Sequence, residues 1–162
     1  MTESQLETGT PAPLDEADRA ILRLLQQNAT VSMERIASKV GVSKTSVWNR
    51  LQRMTRDGVI MRQTIIVNPA RVGLNETFFI EVRTDQHNAQ WLEEFAALVQ
   101  STPEIMEAHR LAGRIDYLLK VQVASTREFD SFYQRLVARI HLFDVSSSLS
   151  MEVLKHETAL PL

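Results

Sequence analysis

An α+β chain built from two unlike halves is predicted by three features of this sequence. Apolar residues recur at helical spacing in three short runs between Leu14 and Met54. Beyond Gly73 the pattern changes to strands and helices in the order βαββαβ, which is the ferredoxin-like split βαβ arrangement. Charge divides the same way: residues 14–68 carry nine Lys/Arg against five Asp/Glu, and residues 74–162 carry eight against thirteen. A basic half joined to an acidic half is the asymmetry expected of a binding protein.

Residues 1–13 are polar, hold two prolines and show no periodicity, so a flexible tail is expected there. Asp15 can cap a first helix whose Ala17, Ile21, Leu24 and Leu25 share a face. Ser32 caps a second, with Ile36, Ala37 and Val40 inward. "GVSK" turns the chain, with Gly41 supplying the freedom in φ. Ser43 caps a third helix that buries Val47, Leu51 and Met54 and stops at Asp57-Gly58. "VIMRQTIIVNP" reads as two short strands, a wing, halted by Asn68-Pro69. These boundaries place a winged helix-turn-helix at 14–67, a linker at 68–75, a ferredoxin-like domain at 76–155 and a C-terminal tail at 156–162.

In the second half "TFFIEVR" is a strand with Phe78, Ile80 and Val82 on one face. "NAQWLEEFAALVQS" is a helix burying Trp91, Phe95, Leu98 and Val99. "IMEAHRLAG" and "DYLLKVQV" are strands, and "TREFDSFYQRLVARI" is a helix burying Phe129, Phe132, Leu136 and Ile140. "VSSSLSMEVLK" is the last strand. Both helices cover one face of this sheet, so the other face needs a partner. A second copy is the simplest, giving a two-fold dimer through face-to-face sheets.

The composition narrows the function classes. Without Cys there is no disulfide framework and no thiolate metal site. The four His are scattered, and no Gly-rich phosphate loop or nucleophile elbow is present, so neither cofactor nor enzyme signature is found. No apolar run approaches a membrane span of about 20 residues, and the N-terminus has no secretion signal, so a cytoplasmic location is expected.

Two short helices joined by "GVS" have helix-turn-helix geometry, in which the second helix enters the major groove of double-stranded DNA. Its outward side would be Ser43, Lys44, Thr45, Ser46, Trp48, Asn49, Arg50 and Arg53. A helix N-terminus offers N–H groups to phosphate. The Asn49 amide suits adenine and arginine suits guanine. Blander readings stand beside these. Ser43 serves as a cap in any case, Arg53 and Arg56 would sit on many exposed helices, and Trp48 more often packs half-buried than touches a base.

With these elements in place, the chain from Leu14 to Lys155 resembles the Lrp/AsnC, or feast/famine, family of transcription factors. The resemblance rests on "LDEADRAILRLLQQNA", "IASKVGVSKTSVWNRLQRMTRDGVI", "VNPARVGL" and "AGRIDYLLKVQV". It implies a winged helix-turn-helix followed by a Lrp-type (RAM) effector domain, dimers that assemble further, often into an octamer of four dimers, and an amino-acid effector bound where neighbouring dimers meet. The effector would sit near the loop between the second and third strands, Leu111, Ala112, Gly113, Arg114 and Asp116. Gly113 would let the backbone approach a ligand, and Asp116 could accept hydrogen bonds from an α-ammonium group. The family's loop reads Gly-Asp-x-Asp-Tyr, so Arg114 reverses a charge. That leaves three roles open for Arg114: gripping a ligand carboxylate, pairing with an acid across the assembly, or facing water. By itself the tetrad also reads as a turn with a satisfied aspartate. Ser148 and Ser150 would line the pocket with hydroxyls and favour a small or polar ligand, and "VSSSLSMEVLKHETALP" is similar to a sub-branch linked to sulfur amino acids such as cysteine. "IHLFD" lacks the family's usual Pro-Gly. The alternatives are an effector-independent DNA-organising protein, and a ferredoxin-like small-molecule binder with no DNA role.

Overall fold

The computed structural model describes residues 13–162 and divides them into two compact units. All but the last residue of the expected N-terminal tail therefore lies outside the described residues. The first unit runs to Ile65 and also takes in Lys155–Leu162; the second is Ile66–Leu154.

In the first unit α1 (Glu16–Gln27), α2 (Met33–Val40) and α3 (Lys44–Arg56) follow one another with connections of five and three residues. Each begins on the predicted cap: Asp15, Ser32 and Ser43 accept the backbone N–H of Asp18, Arg35 and Ser46. Gly41 ends α2 at φ 77°, a left-handed conformation that lets α3 set off in a new direction. Ile21, Leu22, Ile36, Ala37, Val47 and Met54 form the core, with Leu24, Leu25, Val40 and Leu51 packed around it. Leu162 joins this cluster, so the last segment of the chain is part of the helical unit.

The predicted wing does not form. Residues 61–68 contain no strand, and Met61, Ile65, Ile66 and Val67 are exposed. No turn-forming Gly or Asn lies between the two apolar pairs, and an isolated two-stranded ribbon has too little buried surface to persist. A 3-10 turn over Pro69–Val72, capped by Asn68, follows.

The second unit holds β1 (Glu76–Arg83), α4 (Ala89–Ser101), β2 (Ile105–Arg110), β3 (Tyr117–Val123), α5 (Thr126–Arg139) and β4 (Asp144–Leu149). The sheet is antiparallel in the order β2-β3-β1-β4, as the βαββαβ reading requires. Period-two alternation puts Phe78, Ile80, Val82, Tyr117, Leu119, Val121 and Val123 under the helices, where they meet Trp91, Phe95, Leu98, Phe132, Leu136 and Ile140. Val99 and Phe129, expected in the core, are only partly buried against it. On the other face Phe79 lies opposite Lys120 and Ser148, and Glu81 lies opposite Leu118 and Ser146. No element of the unit covers that face, and Phe79 is 39% exposed.

β4 is shorter than the expected run to Lys155. The amide of Ser150 still reaches the carbonyl of Thr77 (2.9 Å), but β1 begins at Glu76 and has nothing further to pair with. The turn left open by the missing Pro-Gly is held instead by Trp91, whose indole N–H donates to the carbonyl of His141 (3.0 Å), and by the Phe143 amide on Arg83 (3.1 Å).

Candidate nucleic-acid interface and effector loop

α3 buries Val47 and Met54 against α1 and α2, and this fixes which of its sides faces out. Lys44, Thr45, Trp48 and Asn49 are exposed, Trp48 by 49%. Ser43, Thr45, Ser46, Asn49, Arg50 and Arg53 line a concave strip along the helix. The predicted DNA-contacting residues thus fall on adjoining sides of one helix, beginning at its capped N-terminus. Ser43 spends its hydroxyl oxygen on the Ser46 amide, so its capping role is realised.

The cations of α3 are already engaged within the chain. Each is paired with an acid of the same unit: Lys44 with Glu34, Arg50 with Asp15 and Asp18, Arg53 with Asp18, and Arg56 with Asp57 at 3.0 Å. Arg50 Nη1 lies 2.7 Å from Asp18 Oδ1 and 2.7 and 2.8 Å from the two oxygens of Asp15. The Asp18 amide and Arg50 together hold the Asp15 carboxyl below its ordinary value, and Lys44 does the same to Glu34. Hydrogen bonds from Arg50 to Asp15 and Asp18 raise the arginine. Asp15 and Asp18 were not among the sequence-derived candidates. The signal was there: two acids three apart at the cap and in the first turn of α1, and two arginines three apart on α3.

The loop from Leu111 to Asp116 closes β2 onto β3. The Leu111 amide donates to the carbonyl of Asp116 (2.8 Å), and the Asp116 amide donates to that of Val82 (3.0 Å). Asp116 Oδ2 accepts the amide of Thr84 at 2.8 Å. One carboxylate oxygen therefore ties the loop to the end of β1, as in the plain turn reading, while Oδ1 has no hydrogen bond among the described residues. Leu111, Ala112, Gly113 and Arg114 are exposed. Gly113 does not adopt positive φ, and a methyl group placed on it would meet nothing. The chain itself thus gives no steric reason for glycine there. Arg114 makes no ion pair or hydrogen bond within the described residues.

Ser148 and Ser150 are not brought to this loop. Asp116 reaches Val82, at one end of β1, whereas Ser148 pairs with Phe79 and Ser150 reaches Thr77. Ser148 is therefore about 10 Å further along the sheet, with β1 between β4 and β3.

Residues 14–55 match the AsnC-type helix-turn-helix domain and residues 77–160 the Lrp/AsnC ligand binding domain. The chain belongs to the Lrp/AsnC family. It is 46% identical over 149 residues to the glutamate uptake regulatory protein of Zymomonas mobilis, covering 92% of this chain and 91% of that one. It is 39% identical over 150 residues to the DNA-binding transcriptional activator DecR of Escherichia coli, covering 92% and 99%. Its fold is also that of the Neisseria meningitidis transcriptional regulator NMB0573 in complex with L-Met, with a TM-score of 0.87 at 29% identity, over 92% of this chain and 97% of the other. Against the Lrp/AsnC loop pattern, Arg114 is the departure that the structure leaves facing solvent.

Proposed function

We propose that the chain is a sequence-specific, DNA-binding transcriptional regulator that answers to an amino acid or a related small molecule. The observation that carries this reading is the side of α3 formed by Ser43, Thr45, Ser46 and Asn49, set on an AsnC-type helix-turn-helix. Hydroxyl and amide groups there can bond phosphate and base edges. Lys44 and Arg56, whose pairs are well exposed, can exchange a carboxylate for a phosphate at little cost.

The effector is held between copies. The Leu111–Asp116 loop offers Asp116 Oδ1 and the Arg114 guanidinium, which match the ammonium and carboxylate of an amino acid. Ser148 and Ser150 would come from a neighbouring copy and favour a small or sulfur-containing side chain; the L-Met complex of the Neisseria relative supports this class. The chain dimerises through the open sheet face and assembles further, to an octamer in the fullest form. Ligand then alters DNA binding by preferring one assembly state.

Gel shifts with and without amino acids test this. Retarded DNA whose affinity changes with at least one amino acid is the expected result. Retardation indifferent to all of them would support an architectural DNA-organising protein instead. A parallel thermal-shift screen across the standard amino acids identifies the effector, because a binder raises the melting temperature by mass action.

A further inference from the structure

Among the described residues Asp18 is the one charged side chain that is buried, at 0% exposure. It performs two tasks at once. With Asp15 it closes a reciprocal capping box at the start of α1: the Asp18 amide donates to Asp15 Oδ1 (2.8 Å), and the Asp15 amide donates to Asp18 Oδ2 (3.1 Å). Its carboxylate also takes Arg50 on one oxygen and Arg53 on the other, two arginines three residues apart on α3.

Capping alone does not account for that burial. An exposed acid closes such a box equally well, and a buried ion pair is seldom better for stability than an apolar packing of the same volume. What the arrangement does secure is geometry. A guanidinium is a planar fork, and one held by a buried oxygen loses the freedom that a long side chain otherwise keeps in solvent. Asp18 holds Arg50 by Nη1 and Arg53 by Nη2; Arg50 Nη1 also donates to both oxygens of Asp15 (2.7 and 2.8 Å), and its Nε makes a longer contact with Ser46 Oγ (3.4 Å). Both arginines line the same concave strip as Ser43, Thr45, Ser46 and Asn49.

We propose that Asp18 is a positioning residue for DNA reading, which acts through Arg50 and Arg53 by fixing their guanidinium groups at the recognition surface and offsetting their charge. The inference rests on α3 being the DNA-contacting helix. Its consequence concerns selectivity more than affinity. Free arginines follow phosphates on any sequence, so holding and partly neutralising them suppresses indiscriminate binding, while ordered donors remain available to one sequence.

The test uses the full chain, a duplex enriched by the wild type from a randomised pool, and a scrambled duplex of equal length. Affinities for both are measured over a series of KCl concentrations. Asp18→Asn keeps shape and cap but removes the charge. It should bind the scrambled duplex at least as tightly as wild type, lose about tenfold in preference for the enriched one, and show a salt slope steeper by about 0.9 for each phosphate newly engaged. Asp15→Asn, which leaves a good capping side chain and loosens Arg50 alone, should shift the same quantities less. If Asp18→Asn does not fold, Asp15→Asn carries the test. Variants that melt earlier but keep the wild-type preference and slope would reduce Asp18 to a structural residue and overturn the inference. A wild type that enriches no sequence would overturn the assignment of α3 itself, and this inference with it.

Discussion

Asp15 and Glu34 show how the cations of α3 are engaged within the chain. Both carboxyls are held below their ordinary values of 3.8 and 4.5, by the Asp18 amide with Arg50 and by Lys44 respectively. Glu107, beside Lys120 in the sheet, is lowered in the same way. A carboxyl with a depressed folded value stabilises the fold fully above its unfolded value and loses that contribution as pH falls through the folded one. The melting temperature should therefore stay level from neutral pH to about 4.5 and drop below it, and added salt should blunt the drop because these groups are exposed. Melting curves over a pH series check this; a decline already under way at pH 6 would point to other groups. A second residue-scale prediction concerns Gly41, at φ 77°. Gly41→Ala should cost about 1–2 kcal/mol in denaturant unfolding, and an unchanged midpoint would mean that the turn relaxes freely. The caps, this glycine and most core residues were legible in the sequence because each is dictated by its neighbours along the chain. The partners of Arg50 and Arg53 were not, since they lie 32 to 35 residues away.

At the scale of elements, the helices and β1 to β3 could be read from periodicity, whereas the wing and the far end of β4 could not. A helix satisfies its own backbone, but a strand exists only where another strand supplies N–H and C=O groups. Residues 61–68 and 151–155 have strand-like composition and no such partner in this chain. The final segment finds a different support. The Gln26 side chain accepts the Leu160 amide (2.6 Å) and donates to its carbonyl (3.2 Å), while Arg23 Nε donates to the carbonyl of Leu162 (2.6 Å). Residues 155–162 are thereby docked on α1 rather than loose. Gln26→Ala should raise the hydrogen-exchange rate of the Leu160 amide severalfold and leave the amides of β3 unaffected. Equal protection at Leu160 in the variant would show that apolar contact of Leu162 alone suffices.

For the whole molecule, the unpaired surfaces say most. Phe79 on the open sheet face and the exposed Met61, Ile65, Ile66 and Val67 are apolar groups that a solitary copy leaves in water. Light scattering should accordingly report a dimer or a larger particle. Phe79→Asp, which would bury like charges where two sheets face each other, should shift it towards the single chain without loss of helical and strand signal in circular dichroism. A wild type that is monomeric at every concentration would remove both the shared effector pocket and the coupling built on it. The candidate effector residues divide along the same line. The loop could be picked out from its residues and family resemblance, but joining it to Ser148 and Ser150 required the strand order, which sets them at different places on the sheet.

By itself the sequence determined the two-part architecture, the three caps of the helical unit, the inward faces of its helices and strands, and membership of the Lrp/AsnC family. Those features depend on local periodicity and short motifs, which a linear chain displays openly. Only the tertiary structure decided that the cations of α3 are already engaged, that Asp18 is buried between two of them, that the chain's last segment lies on α1, and that Ser148 and Ser150 stand further along the sheet from the Leu111–Asp116 loop. Each of these is a relation between groups far apart in sequence, and charge complementarity alone does not say which acid an arginine will choose until folding has fixed the distances.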